Sequence, residues 1–139
     1  FKEELEEIER RVQGEISKKT SAKEKLTALV ETLFSYFEER WEAFAILRVN
    51  RQSFEAELKD DLFQMIHLKH LQFINMVKEI VEQGIEEGVF KNLRPEEMSF
   101  ALIGLINGSI FIWLESGRGY SLKERIPELL EIFYQGIEK

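Results

Sequence analysis

Cysteine is absent from the 139 residues and proline occurs only twice. Without cysteine, disulfides and thiol chemistry are excluded, and a cytoplasmic location is expected. Two prolines and eight glycines leave few interruptions in a chain rich in Glu, Lys, Leu and Ile, which favours helix. A basic stripe is also missing. The 19 Lys and Arg are outnumbered by 26 Asp and Glu, giving a net charge of -7 spread along the chain. That makes this polypeptide on its own a poor nucleic-acid binder. We find no secretory signal, strand alternation, internal repeat or low-complexity tract. What remains is 44% hydrophobic and 32% charged, the balance of one globular domain with its own core.

The periodicity predicts an all-α bundle of about six helices. Phe1 to Lys19 carries a thin apolar seam of Phe1, Leu5, Ile8, Val12 and Ile16 among charged residues. Because the chain enters at Phe1 within a helical pattern, a preceding part is expected. Ser21-Ala-Lys-Glu24 is a capping box that opens a second helix. Its apolar positions are Leu26, Leu29, Val30, Leu33, Phe34 and Phe37. A break near Glu38 to Trp41 predicts a separate short helix through Phe44 and Leu47. Ser53 is the expected N-cap of a long helix to about Glu87, whose buried face carries Leu58, Leu62, Ile66, Phe73, Val77, Ile80 and Gly84. Gly88 suits its C-terminal cap. Pro95 with Glu96 and Glu97 starts the next helix. Ser121-Leu-Lys-Glu124 reads as a second capping box. Pro127 implies either a short turn before the last helix or a kink within it.

Met98 to Leu114 is apolar around the whole helical circumference, so every side of it needs cover. A membrane is a poor candidate. At ~1.5 Å per residue the segment reaches only about 26 Å, short of a ~30 Å hydrocarbon core. Asn107 and Ser109 also sit near its middle. Two faces are distinguishable: Leu102, Ile106, Ser109 and Trp113 on one, Phe100, Ile103, Asn107 and Phe111 on the other. One small subunit cannot easily cover both, so a homodimer is expected. Leu102, Ile106 and Trp113 would form the interface with Leu130 and Phe133 of the last helix, as two helices from each copy around a two-fold axis. Ala101, Gly104 and Gly108 form a small-residue strip on the same helix that permits close backbone approach.

From Glu79 the sequence EIVEQGIEEGVFKNLRPEEMSFALIGLINGSIFIWL resembles the C-terminal regulatory domain of TetR/AcrR-type transcriptional regulators. The likeness lies in a long helix ending in "GIEEGVF", a short loop, an acidic "PEE" start and a "GLINGSIFIWL" helix. A closing amphipathic helix near "YQGIEK" completes it. The resemblance implies that residues 1–139 form a ligand-binding and dimerisation domain. It also implies that 1–19 is a connector helix and that a helix-turn-helix DNA-binding domain stands before Phe1. Operator DNA would then be a partner only through that missing domain, in a repressor that answers a small hydrophobic or amphipathic effector. The alternative is a stand-alone helical dimerisation or small-molecule-binding protein.

The expected effector cavity is elongated and mainly apolar, lined by Phe37, Phe44, Phe73 and Phe111 with His70 and Asn107 as polar anchors. His70 lies one or two turns from Ile66, Phe73 and Val77, which also fits a core histidine bonded to a neighbour. Asn107 equally suits a structural amide. Arg48 suits an acidic ligand group or a surface salt bridge. His67 and His70, at i and i+3 with Asp60 before them, have partial metal-ligand spacing, yet no Cys or tight His/Glu motif supports a metal site. No cofactor and no enzyme activity are expected. Both histidines lie on one helix, and no nucleophile-base pair or Glu-x-x-His pattern is present.

Overall fold

A computed structural model describes residues 2–49 and 61–139. Side chains of Lys2, residues 44–49, residues 61–63 and Ile66 are not described. Ser53, Leu58 and Asp60 therefore fall outside the described residues, as do the side chains of Phe44, Arg48, Leu62 and Ile66. The described chain holds five α-helices and one 3-10 turn, with no strand among the described residues beyond an isolated Phe90–Glu138 bridge.

Helix α1, Lys2–Ser17, has Glu3 and Glu4 in its first turn, where acids suit the helix dipole. Helix α2, Ala22–Val49, starts at the expected capping box. The Glu24 amide donates to Ser21 Oγ and the Ser21 amide to Glu24 Oε1, each at 3.1 Å. The break expected near Glu38 to Trp41 is present: Arg40 is non-helical (φ -121°, ψ 25°), and two helical stretches meet there across a kink within Ala22–Val49. At the kink, α2 is gripped from two sides. The Glu38 carboxylate accepts the Leu122 amide at 2.6 Å and the Ser121 hydroxyl at 3.2 Å. The Arg40 guanidinium donates to Glu4 at 3.1 Å.

Helix α3, Asp61–Glu86, ends as expected at Gly88, whose φ of +77° suits a residue without Cβ. Gly84 is buried because the Phe90 ring lies on it; a Cβ there would fall inside that ring. Helix α4, Pro95–Glu115, closes at Gly117, also at positive φ. The Arg118 guanidinium then stacks 3.5 Å above the Trp41 ring. The second capping box does not form: Ser121 Oγ donates to Glu38, and the Glu124 amide bonds the Ser121 carbonyl at 3.0 Å instead of its side chain. A 3-10 turn, Leu122–Arg125, precedes helix α5, Ile126–Ile137, so Pro127 falls in the first turn of α5 and no kink is needed.

The core runs through all five helices and is densest where α2 begins and α3 ends. Ala22, Leu26, Leu29, Val30, Phe34, Val77, Val81, Phe90 and Leu102 have no exposed surface. The C-terminus is tied there too, with Lys91 N donating to Ile137 O at 2.6 Å and the Tyr134 hydroxyl bonded to Thr27 Oγ1 at 2.8 Å.

The two faces expected on α4 hold only in part, since Ile103 is buried together with Leu102 and Ile106 while Phe100, Asn107 and Phe111 are exposed. Leu102, Ile106 and Trp113, expected at a dimer interface, are buried inside the single chain, as is Phe133 of α5; Leu130 is half-buried. Within the chain they belong to the same apolar core as residues of the other helices. The uncovered apolar side chains are Phe100 at 51%, Phe111 at 53% and Ile112 at 59% exposure, with Ile132 of α5 at 62%. Gly104 and Gly108 have open space above them on α4. By length and composition α4 is apolar enough to cross a membrane, yet its inner face is the roof of this core.

Candidate ligand cavity

A cavity of about 310 Å³ opens between α1, α2, α3 and α4. Each helix contributes residues at helical spacing. From α1 come Leu5, Ile8, Glu9, Val12 and Gln13; from α3 come Lys69, Gln72, Phe73 and Met76, with His70 beside them. Leu33 and Phe37 descend from α2, and Ile106, Asn107 and Ile110 from α4. Spacings of i, i+3, i+4 and i+7 bring such residues onto one helix face, so each wall is continuous.

The apolar wall is incompletely covered by protein. Val12 and Ile106 are buried, but Leu5, Ile8, Leu33, Phe37, Phe73, Met76 and Ile110 are only half-buried. Of the residues expected from sequence, Phe37, His70, Phe73 and Asn107 line the cavity. His70 and Asn107 are exposed, so both stand at its rim and neither is the buried polar group the periodicity suggested. Phe111 is not in the wall; it lies on the outer face of α4. Phe44 lies outside the described side chains.

Sequence reasoning treated α1 as a connector that touches the ligand-binding helices. Its residues instead form a whole wall, and the signal was present in the Leu5, Ile8 and Val12 seam. Lys69 and Glu9 were also missed, since a charged residue in an exposed-looking helix reads as solvated. Lys69 Nζ lies 2.5 Å from Glu9 Oε2, and both side chains are partly covered, at 26% and 34% exposure. They are the charged members of the wall among the described residues.

A second polar tie holds α1 to α2. The buried Tyr36 hydroxyl donates to the Glu4 carboxylate, and Glu4 also pairs with Arg40. Arg11 of α1 sits 4.9 Å above the Tyr36 ring. Burial, with the Glu4 bond and charge adding to it, pushes the Tyr36 phenol up to about 12, so it stays a neutral donor.

Chemically, this arrangement offers a mostly apolar slot with a few polar groups at one rim. Among the described residues no three His, Cys, Asp or Glu side chains converge as a metal site would require. His67 is exposed on α3, and Asp60 lies outside the described residues.

Three comparisons bear on this geometry. Residues 19–137 match the family described as tetracyclin repressor-like, C-terminal domain. The fatty acid metabolism regulator protein of Bacillus subtilis is 22% identical over 138 residues, covering 99% of this chain and 69% of that protein. Among solved structures, the transcriptional regulator FadR from Bacillus subtilis in complex with stearoyl-CoA superposes with a TM-score of 0.79. That match has 24% identity and covers 98% of this chain and 72% of the other. A ketosteroid transcriptional regulator of Mycobacterium tuberculosis gives 0.75 at 20% identity, over 98% and 68% of the two chains.

Proposed function

The chain belongs to the family of tetracyclin repressor-like C-terminal domains, and from that premise we propose that it is the effector-sensing half of a ligand-responsive transcriptional repressor. In the full-length cytoplasmic protein a helix-turn-helix domain precedes α1. The observation that carries this reading is that α1, the helix nearest such a domain in sequence, is itself a wall of the cavity. A molecule entering the cavity therefore touches the connector directly. Its binding energy depends on where α1 sits, which is the condition for coupling ligand to DNA-binding geometry.

Half-buried Ile8, Phe37, Phe73 and Met76 favour an apolar body, and the rim of Gln13, His70, Gln72 and Asn107 favours a polar end. An amphipathic acyl compound fits that description, and the relative in complex with stearoyl-CoA supports the class. Phe37, His70, Phe73 and Asn107 are the contacts we assign. No catalytic step belongs to this reading.

The outer face of α4 and α5 is the surface for a second copy. Phe100, Phe111, Ile112 and Ile132 give exposed apolar area, and Gly104 and Gly108 allow close approach of a partner helix. The face runs along the last two helices, where the all-round apolar character of α4 placed the expected pairing.

Calorimetric titration of this chain with stearoyl-CoA and with coenzyme A alone tests the ligand class. We expect saturable binding of the acyl compound with a negative heat-capacity change, and none of free coenzyme A. Equal binding of both overturns the assignment, as does binding of neither together with no binding of stearate.

A further inference from the structure

We propose that Lys69 is the seat for the anionic end of the bound molecule, and that Glu9 of the connector is its built-in competitor. The proposal rests on the reading of the cavity as an amphipathic-ligand site and adds the chemistry of its polar end.

Among the described residues of the wall, Lys69 is the cation and Glu9 is the anion. The other polar members of the wall are Gln13, His70, Gln72 and Asn107. The two charges meet at 2.5 Å across a sequence separation of 60 residues, one from α1 and one from α3. The cation is thus satisfied by the helix that would have to move. Gln72 and Phe73 stand one turn beyond Lys69 on the same face of α3, so an apolar chain lying on Phe73 and Met76 has its end at Lys69.

An ammonium has three donors but no fixed fork, so it accepts a new anionic partner without a preset geometry. A carboxylate or phosphate arriving at Lys69 has two choices. It displaces Glu9, or it shares the ammonium with Glu9 and places two anions around one cation. Either outcome weakens the tie between α1 and α3. Because the pair is partly exposed, solvent lowers the barrier to parting it. By reciprocity, loosening Glu9 favours the ligand, and the ligand favours a connector freed at Glu9. A bond that served only to hold the bundle together would show neither dependence on ligand charge nor this linkage.

The free carboxylate of a fatty acid and the phosphates of an acyl-CoA share the required chemistry. The test separates them by titrating wild type, Lys69→Gln, Glu9→Gln and Lys69→Arg with stearate, stearoyl-CoA and stearyl alcohol, an uncharged chain of equal length. We expect Lys69→Gln to weaken the anionic probe about tenfold and Glu9→Gln to strengthen it by a few-fold, with the alcohol unchanged. Lys69→Arg should restore most of the affinity. An effect confined to stearate assigns a carboxylate to Lys69; one confined to stearoyl-CoA assigns a phosphate. In parallel, amide exchange should show α1 protection lowered by Glu9→Gln and by the anionic probe, but not by the alcohol. If wild type binds the probes and the variants leave all affinities unchanged, or shift the alcohol equally, the seat is overturned while the cavity reading survives. If wild type binds none of the three, the cavity reading fails and the seat with it.

Discussion

The half of the bundle where α2 starts and α3 ends differs sharply from the half around the cavity, although both are built from the same kinds of residue. In the first, Leu26, Leu29, Val81 and Phe90 have no exposed surface and the chain terminus is pinned across them. In the second, Leu5, Ile8, Phe37 and Phe73 are half-covered, and polar ties such as Glu9–Lys69 and Glu4–Tyr36 hold the helices in register. Apolar packing is non-directional and stiff once voids are gone; an ion pair with solvent access is specific but weak. The difference separates a fixed frame from an adjustable wall within one small domain, and α1 belongs to both, with Val12 buried and Leu5 half-exposed.

Truncation should expose the contrast most strongly. Leu29→Ala in the closed half removes fully buried methyls and should cost about 2–5 kcal/mol of unfolding free energy. Phe37→Ala removes a larger side chain from the cavity wall, yet should cost less, because that surface is already partly hydrated. Urea denaturation of the two variants decides it. Phe37→Ala as destabilising as Leu29→Ala would erase the distinction between frame and wall.

The same contrast runs across α4. Ile112→Glu places a charge on an exposed residue and should leave the folding of the protomer nearly intact, while weakening self-association by roughly 30-fold or more if this face pairs with a second copy. Phe133→Glu buries a charge and should unfold the protomer instead. Light scattering together with circular dichroism separates the two. Loss of secondary structure in Ile112→Glu would contradict the surface assignment.

Glycine gives a smaller and opposite pair. Gly84→Ala drives a methyl into the Phe90 ring and should cost about 1–3 kcal/mol. Gly14→Ala, in the last turn of α1 with open space around it, should stabilise by about 0.5 kcal/mol through helix propensity. Thermal melts of both variants test whether α1 is as uncrowded as its surroundings suggest.

The architecture was legible because helical periodicity and end signals are local. Ser21 and Glu24, Gly88 and Pro95 each fix a boundary within a few residues of themselves. The failures came where the deciding contact is distant. Ser121 has the local pattern of a cap, but its hydroxyl is turned to donate to Glu38, 83 positions away, and caps no amide. Nothing local says which apolar residues of α4 the rest of the chain covers: Ile103, expected beside Phe111, is buried with Ile106, while the equally apolar Phe111 is exposed. The periodicity set His70 and Asn107 inward, and both lie at a rim because the cavity remains open there. Lys69 was invisible as a wall residue, since its partner Glu9 arrives from another helix.

The smallest expected effect concerns two tyrosines, one in each half. Burial first of all pushes both Tyr36 and Tyr134 up to about 12. Each phenol is therefore still protonated in the fold at a pH where an unfolded tyrosine, near ~10, has ionised. Their stabilisation is complete below pH ~10 and is lost as pH rises from there to about 12, because the unfolded chain then binds fewer protons than the folded one. Tyr36 ties the connector to α2 through Glu4, whereas Tyr134 bonds Thr27 and the Lys23 carbonyl in the closed half. At neutral pH each Tyr→Phe change should cost about 1 kcal/mol or less. What differs is where the loss appears: Tyr36→Phe should raise amide exchange in α1 alone, and Tyr134→Phe should raise it throughout the core. Each substitution should also remove part of the alkaline fall in stability, followed by denaturation and phenolate absorbance between pH 9 and 12. An alkaline profile identical in wild type and both variants would mean that lysines, not these phenols, govern it. Equal exchange patterns in the two variants would mean that the connector is no looser than the frame.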